Sequence, residues 1–367
     1  MKNMQEIKFS GSYSSNDVVF LLKNLNGLIE ERGNLDREHA VKSGAHYSEM
    51  LPIEYEPPSS YIELFHLLLQ QEKINIANHV ARVAEVLFYL HGKDIVLVSL
   101  ARAGTPIGVL IKRYLLQKYK IEVPHYSISI IRDKGLDLNA IKYIVKKHPD
   151  YALRFIDGWT GKGAISKELI KSCRDIKSIN GIELNDSLVV LADPGKCAGI
   201  YSTREDVLIP SACLNATVSG LISRTVLNSE FIKDEDFHGT KYYDDLKNND
   251  LSCLYIEQIQ EMFPKVISEN EIKLLIKELT ISERTFSGVK DVLKIKQNYK
   301  IEDSNYIKPG IGETTRVLLR RVTWKILVKD ITDKRLNHIL FLADERNVAV
   351  EEYKDMSYLC CGLIKNV

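Results

Sequence analysis

The residues Asp157-Gly158-Trp159-Thr160-Gly161-Lys162-Gly163 place a carboxylate, a hydroxyl, an amine and three glycines within seven positions. Glycines let backbone N–H groups approach an anion closely. Thr160 can add a hydroxyl hydrogen bond and Lys162 a point charge. Asp157 suits a sugar hydroxyl or a Mg²⁺-linked group. Leu153, Phe155 and Ile156 read as the end of a buried strand, and Ile165, Leu169 and Ile170 follow at helical spacing. Strand, glycine loop and helix together aim backbone amides and a helix N-terminus at one point, where a phosphate can sit. The plain alternative is a βα turn whose glycines serve packing alone. A Walker A loop is excluded, because Lys162 is followed by Gly163 and Ala164.

A second unit of this kind lies upstream. Ile95–Leu100 is a continuous apolar run, as expected of a strand buried on both faces. It ends in Ala101-Arg102-Ala103-Gly104-Thr105-Pro106-Ile107-Gly108, with helical spacing through Val109, Leu110, Leu115 and Leu116. Arg102 can fork two N–H bonds onto a phosphate group. Two such loops, each following a buried strand, point to a phosphate-rich ligand.

The surrounding elements read as alternating strands and helices. His125–Ile131 precedes Arg132 and Lys134, and Leu188–Ala192 precedes Asp193-Pro194-Gly195. This alternation predicts a doubly wound, mostly parallel α/β sheet, with ligands beyond the carboxyl ends of the strands. Arg102, Arg132, Asp157 and Asp193 would then share one rim. Tyr61–Leu69 and Ile74–Leu90 predict two amphipathic helices ahead of the first core strand, and a further helix is expected near Val218–Val226. The expected divisions are an N-terminal extension or hood over 1–90, a core over 91–265, a Lys/Glu-rich linker over 266–300 and a small α/β/α unit over 301–367. From Lys308 to Arg346 there are nine bases and five acids, a modest footprint for a phosphate backbone.

The whole chain carries a net charge of +1, so any nucleic-acid contact must come from a local patch. The six cysteines form no CxxC pair, which argues against a zinc site or disulfide framework and for reduced thiols in a cytoplasm. No apolar run reaches membrane-spanning length, and Met1–Glu6 does not begin a secretory leader. A homo-oligomer is compatible with this composition.

Taken together, His46-Tyr47-Ser48-Glu49-Met50, the Leu100–Pro106 loop, Tyr126–Arg132, Asp157–Gly163 and Asp193-Pro194-Gly195 resemble the phosphoribosyltransferase-like proteins of bacterial tellurite-resistance and stress gene clusters, also labelled the cysteine protease StiP family. The resemblance runs from about Phe9 to Phe263. The C-terminal segment resembles the Pelota-type RNA-binding domain, through Gly310-Ile311-Gly312-Glu313-Thr314-Thr315-Arg316. The resemblance implies a type I phosphoribosyltransferase core using a 5-phosphoribosyl 1-pyrophosphate-like sugar with Mg²⁺. Arg102 and Mg²⁺, the latter on Asp157, would take the leaving charge, and Asp193 would face the nucleophile. Ala103, Gly104 and Thr105 would bind pyrophosphate. Gly158, Trp159, Thr160, Gly161, Lys162 and Gly163 would hold the ribose phosphate, with Arg132 and His46 contributing. RNA would meet Gly310, Gly312, Glu313, Arg316 and Arg320. The chain departs from the usual pattern in carrying Asp157-Gly158 where two acids are expected, and Gly312 where an Asn would read bases.

Two rival readings follow from the same residues. A cysteine protease would use Cys197 or Cys213 as nucleophile, with His46, His125 or His238 as base. A non-catalytic sensor would bind a nucleotide in a degenerate core and RNA in its tail.

Overall fold

The computed structural model describes residues 9–263, 268–281 and 283–364. Met1–Glu6 and the expected start of the linker near Pro264 lie outside them. The central sheet is built from Val19–Phe20 (β1), Ile95–Leu100 (β2), His125–Ile128 (β3), Ala152–Ile156 (β4), Val189–Ala192 (β5) and Ile200–Thr203 (β6). Their order across the sheet is β1-β3-β2-β4-β5-β6. Every pairing is parallel. Central β2 is buried along its whole length, because helices cover both faces of such a sheet.

Ser59–His91 (α1) is one helix of 33 residues, not two. Gln70–Lys73, between the two apolar stretches, are polar but include no Pro or Gly and are good helix formers, so the chain has no reason to turn there. Gly104–Tyr119 (α2), Leu138–Lys147 (α3) and Ala164–Asn180 (α4) are the crossover helices. The helix expected near Val218–Val226 does not form. Two short 3₁₀ turns, Pro210–Cys213 and Ala216–Val218, replace it, followed by isolated bridges from Ile222 to Tyr242 and from Val226 to Gly239. Gly220 at φ +83°, beside Leu221 at φ +57°, turns the backbone out of helical geometry at that point.

The C-terminal sheet consists of Ile307–Pro309 (β7), Thr323–Val328 (β8), Ala349–Glu352 (β9) and Cys360–Ile364 (β10), in the order β7-β10-β8-β9. Ile311–Arg320 (α5) and Asn337–Glu345 (α6) pack on it. The helix Ser287–Asn298 joins from upstream, its Val292 and Ile295 burying against Ile307 and Leu327. The described residues are therefore mixed α/β, with a parallel central sheet and a small C-terminal sheet domain. No helix among them is long and apolar enough to cross a membrane.

Candidate functional site

Beyond the carboxyl ends of β2, β4 and β5, the loop after β4 forms the floor of a mouth. Asp157 N donates to Val189 O (2.9 Å), Thr160 N to Ala192 O (3.0 Å) and Leu191 N to Gly158 O (3.0 Å), so the loop is stitched to β5. Gly163, at φ +80°, turns the chain into α4, whose first residues Ala164, Ile165 and Ser166 line the same space. Ser166 Oγ is buried there without a hydrogen-bond partner, an unspent donor beside a positive helix end.

The opposite wall comes from the C-terminal domain. Ile307, Lys308 and Pro309 of β7 and Glu313 and Arg316 of α5 face Ala103, Arg132, Asp157 and Lys162 across a cavity of about 190 Å³. Asp206 fastens this wall to the core. Its carboxylate accepts from Ile311 N (3.0 and 3.1 Å) and Leu359 N (2.9 Å). Gly312 brings α5 against Trp159, since a Cβ there would stand 3.2 Å from the indole.

The mouth mixes four cations with two carboxylates. Burial raises Asp157 to about 7; its bond from Gly158 N (2.8 Å) opposes this, Glu313 adds to it and Arg316 reduces it. Burial, then the neighbouring charges of Lys308 and Arg132, depress Lys162 to about 8. Burial lowers Lys308 as well. Lys162 Nζ rests on Ser304 O (2.8 Å) and Asn305 Oδ1 (3.2 Å), neutral acceptors that leave its charge unneutralised.

The structure brings Ala103, Arg132, Asp157, Trp159, Thr160, Gly161, Lys162 and Gly163 around one cavity, and adds to them Glu313 and Arg316, which were expected at a separate RNA-binding surface. Gly158 underlies them in the loop, and Gly104 packs on the Ile156 carbonyl just behind. Other assignments are corrected. Asp193 does not face the mouth: fully buried, it accepts from Cys197 N (2.8 Å), Ala198 N (3.1 Å), Thr160 Oγ1 and Arg204. Thr160 thereby spends its hydroxyl inward. Thr105 is buried on Ser127 Oγ (2.8 Å). Arg102 turns away to Ile222 O (2.9 Å) and Glu54 (3.3 Å). His46 caps the Tyr47–Glu49 turn through Ser48, outside the mouth. Gly310 and Gly312 are buried against the core, and Arg320 reaches Cys213 O (2.8 Å), so these do not form an open RNA face.

Lys308 and Asp206 were not singled out from sequence. Lys308 carried a signal, being a lone base beside Pro309 and the loop-like Gly310. Asp206 carried none, because its partners are backbone amides more than a hundred residues away.

All six cysteines are reduced, and five are buried. Burial, and secondarily Asp193, push the Cys197 thiol to about 12, while Lys167 and Arg204 oppose the rise. Burial pushes Cys213 to about 12 as well. The histidines proposed as bases are engaged elsewhere. His125 bonds Ser99 Oγ (2.7 Å) and Asp17 O (2.8 Å), and His238 bonds Ser129 Oγ (2.9 Å). Among the described residues no histidine ring hydrogen-bonds a thiol. Cys197 alone of the two candidates adjoins the mouth: its Sγ lies 2.6 Å from the position a Cβ on Gly163 would take.

A family model described as "Tellurite-like stress resistance cysteine protease StiP" matches residues 11–260. This chain belongs to the StiP family. A model of the PELOTA RNA binding domain matches residues 286–366, beginning at the helix Ser287–Asn298. The chain is 37% identical over 335 residues to "Cysteine protease StiP" of Acinetobacter baylyi (strain ATCC 33305 / BD413 / ADP1), covering 89% of this chain and 86% of the relative. These matches overturn the expected phosphoribosyltransferase activity. The StiP family is described by a protease, and the resemblance that implied pentosyl transfer rested on phosphate-cradling loops that many chemistries share.

Proposed function

We propose that this chain is a cysteine protease of the StiP type whose nucleophile, Cys197, is held latent behind the mouth, and that the mouth takes a phosphate-bearing ligand. The observation that carries this is the packing of Cys197 Sγ directly against Gly163, a residue of the mouth's floor. A ligand that draws on the amides of Gly161 to Ser166 pulls on the backbone covering the thiol. Once burial is relieved, Lys167 and Arg204 are the cations that favour the thiolate. The thiolate, its proton lost to solvent, would attack the scissile carbonyl carbon with loop amides receiving the oxyanion; collapse breaks the C–N bond, the amine leaves with a proton from water, and water hydrolyses the thioester to restore the thiol. In the free protein the thiol donates to Gly195 O (3.1 Å). Six reduced cysteines suit a reducing compartment such as the cytoplasm.

The anion preference follows from charge. Arg132, Lys162, Lys308 and Arg316 outnumber Asp157 and Glu313, and Ser166 adds a donor without a partner. That set suits a phosphate better than a divalent cation, so this reading gives Mg²⁺ no part on Asp157. The ligand's source is RNA held by the Pelota-like segment, whose α5 supplies two of the lining residues.

A second reading is a non-catalytic binder. It is favoured by the lack of a thiol–histidine contact among the described residues. Hydrolysis of a fluorescent casein, with and without a short RNA, separates the two. Loss in Cys197→Ala but not Cys213→Ala supports the protease. Hydrolysis absent from the wild type, or unchanged in both variants, removes it and leaves the binder.

A further inference from the structure

Arg102, turned away from the mouth, joins a second group of cations. The charge of Arg102 acts on both Arg224 and Arg320, and that of Arg316, on the mouth side, acts on Arg320. Apart from the pair that Arg102 makes with Glu54, their hydrogen bonds among the described residues go to neutral acceptors. Arg102 donates to Ile222 O (2.9 Å), and Arg224 to Tyr47 O (2.7 Å) and Met50 O (3.1 Å). Arg320 donates to Cys213 O (2.8 Å) and Arg316 to Asn215 Oδ1 (3.4 Å). Arg224 Nε and Arg320 Nη1 are buried without a hydrogen-bond partner.

The carboxylate that answers these guanidiniums is Glu54, whose Oε2 accepts from both Nη1 and Nη2 of Arg102 at 3.3 Å. Glu31, at the edge of the group, is already paired with Lys241 Nζ (2.8 Å) and Tyr243 OH (2.8 Å). Burial, then the charges of Arg37 and Arg102, depress Arg224 to about 10; burial, then Arg316, depresses Arg320 to about 10, and Glu54 opposes that fall. Burying cations against carbonyls rather than carboxylates is costly unless an anion completes the set.

Glu54 is suited to give way. It lies on Ile53–Glu56, which has no regular structure and exposes Ile53, Tyr55 and Glu56. Its backbone N–H donates to Glu31 Oε1 (3.1 Å), and that of Ile53 reaches Arg32 O (3.4 Å). A planar guanidinium fork matches two oxygens of a phosphate as well as those of a carboxylate.

We propose that Arg102, Arg224 and Arg320 form a second anion site, adjoining the Lys162 mouth at Arg316, in which Glu54 occupies the place of a phosphate. The ligand is a chain of phosphate groups, borne either by an RNA strand or by a free oligophosphate. Binding displaces the Glu54 carboxylate to solvent and neutralises the unspent guanidinium donors. This inference does not depend on the protease reading.

The test is calorimetric titration of the full chain at low salt with tripolyphosphate and, separately, with a 5′-phosphorylated oligouridylate. Glu54→Gln removes the internal competitor and is expected to tighten binding about tenfold. Arg320→Ala and Arg224→Ala weaken it about tenfold, and Arg320→Lys weakens it less. Tripolyphosphate binding that tightens in Glu54→Gln and weakens in Arg224→Ala supports the site and assigns it to free oligophosphates; the same pattern with the oligonucleotide alone supports it and assigns it to RNA. Weaker or unchanged binding in Glu54→Gln, with an unaltered melting temperature, overturns the proposal, as does failure of both probes to bind. Should Arg320→Ala not melt cooperatively, the sign of the Glu54→Gln effect decides.

Discussion

Cys197 Sγ and Gly163 are in contact across the back of the mouth, with the sulfur 2.6 Å from the point where a side chain on Gly163 would begin. Gly163 also holds φ +80°, which an L side chain rarely adopts. The two constraints converge on one residue. Gly163→Ala is expected to displace the loop or the thiol, to cost about 1–3 kcal/mol, and to speed alkylation of Cys197. Chemical denaturation and mass-resolved iodoacetamide labelling measure both. Slow labelling unchanged from wild type would mean that the loop does not cover the thiol.

In the wild type, a thiol raised to about 12 is ionised in fewer than roughly one molecule in 10,000 near pH 7.5. Cys197 and Cys213 should therefore both resist alkylation in the free protein, while half-buried Cys253 labels first. An RNA that opens the mouth accelerates Cys197 selectively.

Anion binding at the mouth should weaken as pH rises. Asp157 gains a negative charge as pH passes about 7, and Lys162 loses its positive charge as pH passes about 8. Both changes make the site less attractive to phosphate. Titration with inorganic phosphate at pH 6 and pH 9 should show affinity falling, with Lys162→Ala weaker at pH 6 and flatter across the range. Affinity that rises with pH would contradict the charge assignment.

Asp157 also makes the fold pH-sensitive. Its folded pKa is raised, so the native state binds more protons than the unfolded chain between about pH 4 and 7. Stability contributed by the neutral acid is present below that window and declines through it as pH rises. A fully enclosed carboxyl would lose roughly 4 kcal/mol. Asp157 keeps an edge open to the mouth, so a loss of about 1–2 kcal/mol is expected. Asp157→Asn removes this decline, measured as denaturation midpoints at pH 5 and pH 8.

Asp206 links the two sheets by accepting from Ile311 N and Leu359 N. Asp206→Ala leaves those buried donors without a partner and is expected to cost about 2–4 kcal/mol. Because the lost bonds set one wall of the mouth, phosphate binding should fall with the melting temperature. A variant that binds phosphate normally would show that the C-terminal wall is not part of the site.

Periodicity and composition by themselves determined the parallel core. Ile95–Leu100 and Leu188–Ala192 are apolar without alternation, which only a strand covered on both faces requires, and the glycines after them mark where backbone approaches closely. Of the four residues expected at one rim, Arg132 and Asp157 share it, since strand ends in a parallel sheet face one way, while Arg102 and Asp193 turn elsewhere. Tertiary structure decided how each polar group is spent. Thr160 and Asp193 sit in signal-bearing positions yet satisfy each other inward, and Arg102 turns to Glu54. The start of α5, which resembles an RNA-reading loop, is docked against Trp159 and bound by Asp206. A local pattern records which face of an element is buried; hydrogen-bond partners and thiol burial depend on residues far away in the chain, and only packing brings those together.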